Sequence, residues 1–471
     1  MEPPRYRLPA MPRQPCRNRE NADPATGRRL EVGSVRTLLL STCLAASLAA
    51  AAPGAPTGSA SLSAADRQGA VEAIATLVSK HYVFPEKRAA IVAAIQEQLR
   101  SGAYDGLDGP VLAARLTDDL RHAGQDGHLW VKWSPEVYEA RRKVKPGVES
   151  TDLEDAMGLR LNQGYTELKI LDGNVRYVKL DGFIWKKGVT PQVVADVARF
   201  LGGGDAAIID LRQNGGGSGE AVQALVSYFL PPDGQLLMTF HDGMTGKTQR
   251  NHVLSKLGAP RLVGKPLWVL ISPMTASAAE EFSDHVKEFK LGTLVGRTTA
   301  GGANNNTVFP VAPGFLASVS TGRPVHGLSG TNWEGTGVPT DVDVPVAIAL
   351  DKAHLLALQQ LAARAEGSRL REYEWAMAGP HARLEPVNPT EEQLRAYAGD
   401  YGIRKIWLNR GALTFQREQR EPVVLNPLGP DLFEFGNDPH IRLRFQREGG
   451  RITGFEMFGA QGEPVTVKRT G

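Results

Sequence analysis

Two stretches of this 471-residue chain carry residue types that could do chemistry. The first reads Ser272-Pro273-Met274-Thr275-Ala276-Ser277-Ala278-Ala279-Glu280-Glu281-Phe282. The apolar run at 266–272 reads as a buried strand, and Ala278, Phe282, Val286 and Phe289 fall on one face of the helix that follows. Ser277 therefore stands at or beside a helix N-terminus, where unpaired amides and the positive end of the dipole favour negative charge on a nearby oxygen. A serine there can act as an acyl-transfer nucleophile. It can equally be an N-cap, with Glu280 three residues on completing a capping box. The second stretch reads Ile208-Ile209-Asp210-Leu211-Arg212-Gln213-Asn214-Gly215-Gly216-Gly217-Ser218-Gly219. Glycines after a buried strand let the backbone approach a ligand and turn its amides inward, as an oxyanion hole or a phosphate cradle requires. A phosphate loop would continue with Lys and Ser or Thr, whereas Ser218-Gly219-Glu220 stands here. A glycine turn without a ligand is the plainer alternative.

Taken together, Asp210-Leu211-Arg212-Gln213-Asn214-Gly215-Gly216-Gly217 and the later Thr275-Ala276-Ser277-Ala278-Ala279-Glu280 resemble the signature of the C-terminal processing (tail-specific) serine peptidases. The resemblance implies a core related to the Clp protease and crotonase folds, with Ser277 as nucleophile. It also implies an oxyanion hole made of the main-chain amides of Gly216 and Ala278. A serine hydroxyl needs a base to take its proton. One branch of the family uses a lysine downstream of the serine, but this chain has none between Lys290 and Lys352, and the matching stretch reads Gly296-Arg297-Thr298-Thr299-Ala300-Gly301-Gly302-Ala303. The other branch, which includes tricorn protease and the interphotoreceptor retinoid-binding protein repeats, places a histidine early and an acid late. Asp126-Gly127-His128-Leu129-Trp130-Val131 resembles that histidine motif, and Asn332-Trp333-Glu334-Gly335-Thr336-Gly337-Val338-Pro339 resembles the acid motif. The implied triad is Ser277, His128 as general base then acid, and Glu334 orienting the imidazole. Tricorn-type enzymes carry a serine directly before the histidine; this chain has Gly127, and Asp126 is the neighbour able to stand in for it. Without the family, His128 is one of 10 histidines and Glu334 a turn carboxylate. His285 follows Ser277 on the same helix but is about 12 Å away by helical rise, too far to serve as its base.

The elements that must position these residues follow from patterning. Helical periodicity runs from 64 to 123, with Val71, Ile74, Leu77 and Val78 on one face and Ile91, Ala94, Ile95 and Leu99 on the next. Stretches at 129–133, 175–180, 207–211 and 267–271 read as strands separated by helical stretches at 191–201 and 220–230, which is an α/β pattern with buried strands. A long helix is expected over 347–365, then a proline-containing link at 378–389. Short strands at 406–408, 413–415, 432–435, 441–445 and 454–457 alternate with turns such as Asn409-Arg410-Gly411, the pattern of a small antiparallel β domain. The expected organisation is leader, signal peptide and linker over 1–63, an N-terminal helical domain over 64–123, a peptidase α/β core over 124–366 and a C-terminal β domain over 385–471. Roughly 45 residues separate Trp133 from Tyr177, too few for the PDZ domain that many tail-specific peptidases insert there.

Composition bounds the rest. A hydrophobic content of 42% and a net charge of +3 describe a globular chain without the basic face that nucleic acid demands. Both cysteines, Cys16 and Cys43, precede the first foldable segment, which argues against disulfides, thiolate catalysis and cysteine metal sites. The apolar stretch at 38–52, preceded by Arg28, Arg29 and Arg36 and followed by Pro53-Gly54, has the form of a signal peptide and is short for a membrane span. The expectation is an exported, periplasmic or extracellular serine-type endopeptidase acting on peptide or protein substrates, with no cofactor, no metal and no stable membrane insertion. Two alternatives stand beside it: a non-catalytic or weakly catalytic binder of hydrophobic ligands on the same scaffold, and hydrolysis of a non-peptide ester, which an acyl-transfer site does not exclude.

Overall fold

In this computed structural model of the chain, the described residues are 62–143, 156, 158–460 and 463–471. The signal-peptide reading and both cysteines lie outside them. Among the described residues no helix is long and apolar enough to cross a membrane.

Three helices open the described chain: α1 (Ala64–His81), α2 (Pro85–Arg100) and α3 (Gly109–Gly124). Each starts on a recognisable signal. Ser63 caps α1 in a capping box with Asp66, Pro85 is the first residue of α2, and Asp108 caps α3 by accepting from Val111 N–H at 3.0 Å. Their apolar faces share one cluster with Val131, from the strand that follows α3, and with Val311, Phe315, Ala317 and Val319, from strands far along the chain. Those residues belong to a five-stranded sheet of β1 (Trp130–Trp133), β5 (Leu236–Asp242), β6 (Thr248–His252), β9 (Asn305–Val311) and β10 (Phe315–His326).

A six-stranded sheet forms the centre. Its order runs β11 (Val342–Asp343), β8 (Thr293–Gly296), β7 (Leu267–Ile271), β4 (Ala206–Asp210), β3 (Val175–Leu180), β2 (Tyr165–Leu171), parallel throughout except for the β2–β3 pair. Both faces are covered, which is why β4 and β7 read as unbroken apolar runs. Alternate residues go to opposite faces. Ile209, Val269 and Ile271 meet α5 (Thr190–Gly202), α6 (Gly219–Val226) and α7 (Ala278–Glu288), while Ile208, Trp268 and Leu270 meet α8 (Ala349–Ala362) and α9 (Gly367–Leu384).

The link expected at 378–389 is a correction: α9 continues through Pro380 to Leu384. Proline normally ends a helix by removing an N–H. Here Ala376, Gly379 and Pro380 are buried, and tertiary contact holds the helix together. The C-terminal region is an eight-stranded antiparallel meander, β12 (Gly399–Tyr401) to β19 (Val465–Lys468), in which every strand pairs with its chain neighbour. Thr470 N–H bonds to Asp400 O at 2.8 Å and Asp400 N–H to Gly471 O at 3.2 Å, so the sheet nearly closes on itself. Tyr401, Phe415, Phe433, Phe445 and Phe455 fill its interior.

Candidate active site

The parallel sheet delivers two loops to one place. β4 ends at Asp210 and β7 at Ile271, and these neighbouring strands release their chains side by side. The loops are then laced together. Ala276 N–H bonds to Asn214 O at 3.0 Å, Thr275 Oγ1 donates to Leu211 O at 2.8 Å and Ser272 Oγ to Arg212 O at 2.6 Å. Asn214, fully buried, donates its side-chain amide to Leu180 O at 2.9 Å and accepts Gly216 N–H at 2.9 Å.

Ser277 precedes α7 with φ 54° and ψ −122°, a backbone conformation that costs a non-glycine residue about 1–3 kcal/mol. Its carbonyl accepts Glu280 N–H at 2.8 Å and Glu281 N–H at 2.9 Å, and its own N–H is taken by Glu280 Oε2 at 2.9 Å. Main-chain and Glu280 bonds thus close the first turn. Gly216 lies directly against Ser277: a Cβ at 216 would stand 2.7 Å from Ser277 Cβ, 2.9 Å from Ala276 O and 3.2 Å from Ala278 N. Gly217 has φ 138° and zips to the neighbouring chain, where a Cβ would meet Phe183 O at 2.1 Å. Only glycines fit at these two positions.

His128 comes from the turn two residues before β1 of the other sheet, where its main-chain N–H bonds to Asp126 Oδ1 at 2.9 Å and its carbonyl accepts Ser318 Oγ at 2.6 Å. The imidazole is buried, and its Nδ1 has no hydrogen-bond partner; Asp126 Oδ1 is 4.0 Å away. Burial holds the ring's pKa below the ordinary range, against the opposing pull of Asp126. Glu334 reaches the same spot from the loop after β10. Its Oε2 accepts Ala303 N–H at 2.7 Å and Asn304 N–H at 2.8 Å, while Oε1 is buried without a partner. Burial, then the charge of Asp126, pushes its carboxyl up to about 7. Ligand-capable atoms of Asp126, His128 and Glu334 all lie within 4.8 Å of one another.

Segment 299–304 joins the two halves. Glu280, fully buried, accepts from Thr299 Oγ1 at 2.6 Å and Gly301 N–H at 2.6 Å on one oxygen, and from Gly302 N–H and Ser277 N–H, both at 2.9 Å, on the other. A Cβ at Gly302 would meet His128 Cε1 at 2.8 Å, so the ring lies flush against this backbone. Asn304 donates to Asp126 Oδ2 at 3.2 Å. The structure therefore gathers His128, Glu334 and Asp126 into one cluster and sets Gly216 and Ala278 against Ser277, with Glu280 and Gly302 between the groups. Neither ring nitrogen of His128 is hydrogen-bonded to the Ser277 hydroxyl. Sequence reasoning saw Glu280 only as a capping residue and missed Gly302, Asn304 and Asn214. The paired Gly301-Gly302 was the one local signal of close approach there.

Residues 174–344 match the family description "Peptidase family S41", and residues 63–157 match "N-terminal domain of Peptidase_S41 in eukaryotic IRBP". Among solved structures, a lipoprotein from Streptococcus agalactiae aligns at 16% identity and TM-score 0.41, covering 63% of this chain and 97% of that one. The photosystem II D1 C-terminal processing protease aligns at 16% identity and TM-score 0.37, with 60% and 94% covered. Mature CPAF aligns at 12% identity and TM-score 0.45, with 64% and 98% covered. Through its core at 174–344 and the preceding domain at 63–157, the chain belongs to peptidase family S41.

Proposed function

We infer that this protein is a serine-type endopeptidase, exported from the cytoplasm, that cleaves peptide bonds through an acyl-enzyme. The carrying observation is the strained Ser277 at a helix N-terminus with Gly216 pressed against its Cβ. The division into leader (1–63), helical domain (64–123), catalytic core (124–366) and β domain (385–471) belongs to the same proposal.

His128 Nε2 takes the Ser277 Oγ proton as Oγ bonds to the substrate carbonyl carbon, then returns it to the leaving amine as the C–N bond breaks. Water repeats the sequence to release the acid. Negative charge on the carbonyl oxygen is met by the main-chain amides of Ala278, at the first turn of α7, and Gly216, whose N–H the oxyanion would share with Asn214 Oδ1. For Nε2 to be basic, Nδ1 must carry the ring proton and give it to an acceptor. His128 Nδ1 and Glu334 Oε1 are both buried and unpartnered within one cluster, so a small rotation pairs them. Asp126 Oδ1 fixes the backbone of His128, next to Gly127, where the tricorn-type branch carries a serine.

The test is labelling with a serine-reactive fluorophosphonate, alongside hydrolysis of a peptide panel. Ser277→Ala and His128→Ala are each expected to lose labelling and to lower hydrolysis by at least about 10³-fold. Full hydrolysis by Ser277→Ala would overturn the assignment. The match at 63–157 to a domain described from eukaryotic IRBP favours, as second reading, a hydrophobic-ligand binder; a wild-type chain that is never labelled and hydrolyses nothing would support it.

A further inference from the structure

We propose that Asp126, His128 and Glu334 form an inhibitory zinc site: a single Zn²⁺ taken by one carboxylate oxygen from each acid and by His128 Nδ1 shuts off the base. The three side chains lie on two segments about 200 residues apart, yet their ligand-capable atoms sit within 4.8 Å of one another. An ion centred among three atoms so spaced is about 2.8 Å from each, and side-chain rotation of about 0.6 Å brings them to zinc bond lengths near 2.0–2.2 Å.

One observation points to a ligand independently of the acidic pair: His128 is only 8% exposed and its Nδ1 has no partner. Within the pair, Glu334 Oε1 is likewise buried and unpartnered. Buried polar atoms left unpaired are costly, and a cation satisfies both at once. The remaining oxygens are already committed in the manner of a supporting shell. Asn304 Nδ2 donates to Asp126 Oδ2, and Ala303 and Asn304 N–H groups donate to Glu334 Oε2. Glu334 is the less buried of the three and opens the cluster to an incoming ion. One imidazole with two carboxylates is a mixed N/O set, which suits Zn²⁺ better than Ca²⁺ or Mg²⁺, ions that prefer oxygen alone.

The consequence for hydrolysis rests on the triad reading above; the ion site does not. A neutral imidazole has one free lone pair. When Nδ1 gives it to zinc, the ring proton resides on Nε2, which then cannot accept a proton from Ser277. Glu334 is also withdrawn from orienting the ring. Inhibition is therefore reversible by chelation and leaves the serine chemically intact.

Calorimetric titration of ZnCl₂ into the full chain after chelator treatment and dialysis tests the site. Wild type and Ser277→Ala are expected to bind one equivalent alike, because the serine is no ligand. Asp126→Asn and Glu334→Gln, each checked for a native circular dichroism spectrum, are expected to bind about 10-fold or more weakly, and MgCl₂ and CaCl₂ to give no comparable heat. Absence of zinc binding, or equal binding by these two variants, overturns the site. In parallel, zinc at saturating concentration is expected to suppress fluorophosphonate labelling and a chelator to restore it; saturated protein that labels at the full rate overturns the inhibitory role. If nothing is labelled with or without zinc while the binding pattern holds, the zinc site stands and the hydrolase reading falls.

Discussion

At Ser277 the backbone adopts φ 54° and ψ −122°, and what tolerates that conformation is Gly216, whose missing side chain leaves room for the serine. Gly216→Ala is expected to destabilise the fold by about 2 kcal/mol or more, because φ 113° is poor for alanine and the new Cβ overlaps Ser277 and Ala276. Urea unfolding measures the loss, and fluorophosphonate labelling should fall with it. A second expectation concerns pH. Glu334 has its carboxyl raised to about 7, whereas burial lowers the His128 pKa. Under the triad reading the acid limb of kcat/KM therefore belongs to Glu334: activity rises as pH passes about 7, where the carboxylate forms. A pH–rate profile with that limb in wild type and without it in Glu334→Gln is the expected outcome. The same raised value means that Glu334 contributes stability below its ordinary value of 4.5 that is lost as pH rises through about 7.

Helix α7 is tied down at both the site and its far side by buried ionisable groups. Glu280 accepts four hydrogen bonds, three from segment 299–302 and one from Ser277 N–H, and so anchors the helix's first turn. One residue on, Glu281 is buried with His285 Nε2 at 3.7 Å, and His285 Nδ1 is 2.9 Å from His326 Nε2. Burial pushes Glu281 up to about 8 and both histidines down to about 3, so at neutral pH all three are held uncharged. A carboxyl whose folded pKa exceeds its ordinary 4.5 stabilises the fold fully below 4.5 and loses that contribution as pH rises through about 8. Glu281→Gln keeps the shape and removes the titration. Its stability relative to wild type is expected to grow between pH 5 and pH 8 by up to about 4 kcal/mol, read from urea midpoints at each pH.

On the scale of the whole molecule, the β meander is joined to the core by Arg442, which is buried, lies over the Trp375 ring at 4.0 Å from its centroid and donates Nη1–H to Trp375 O. Arg442→Ala removes a buried cation together with its ring contact, and is expected to cost about 2–4 kcal/mol in thermal or urea unfolding while labelling of Ser277 below the transition is unchanged. The sequence alone determined the elements whose cause is local. Periodicity marked the helical stretch that holds α1 to α3, strand-like patterns marked β3, β4 and β7, and the glycines after Asp210 with the serine before α7 marked the proposed site. The edge and partner strands were not legible there. β2, β6, β9 and β11 carry mixed or short patterns whose pairing is decided by neighbours distant in the chain, and α9 runs through Pro380 because contacts from α8 and the meander outweigh one missing hydrogen bond. Only the tertiary structure brought Asp126 and His128, in the turn before β1, to Glu334 on a loop about 200 residues later, and made a cluster of groups that read separately as a turn acid and one histidine among ten. The physical reason is that burial and proximity, which shift these groups' protonation and leave Nδ1 and Oε1 facing a shared space, are properties of the assembled core; residue spacing along the chain carries no record of them.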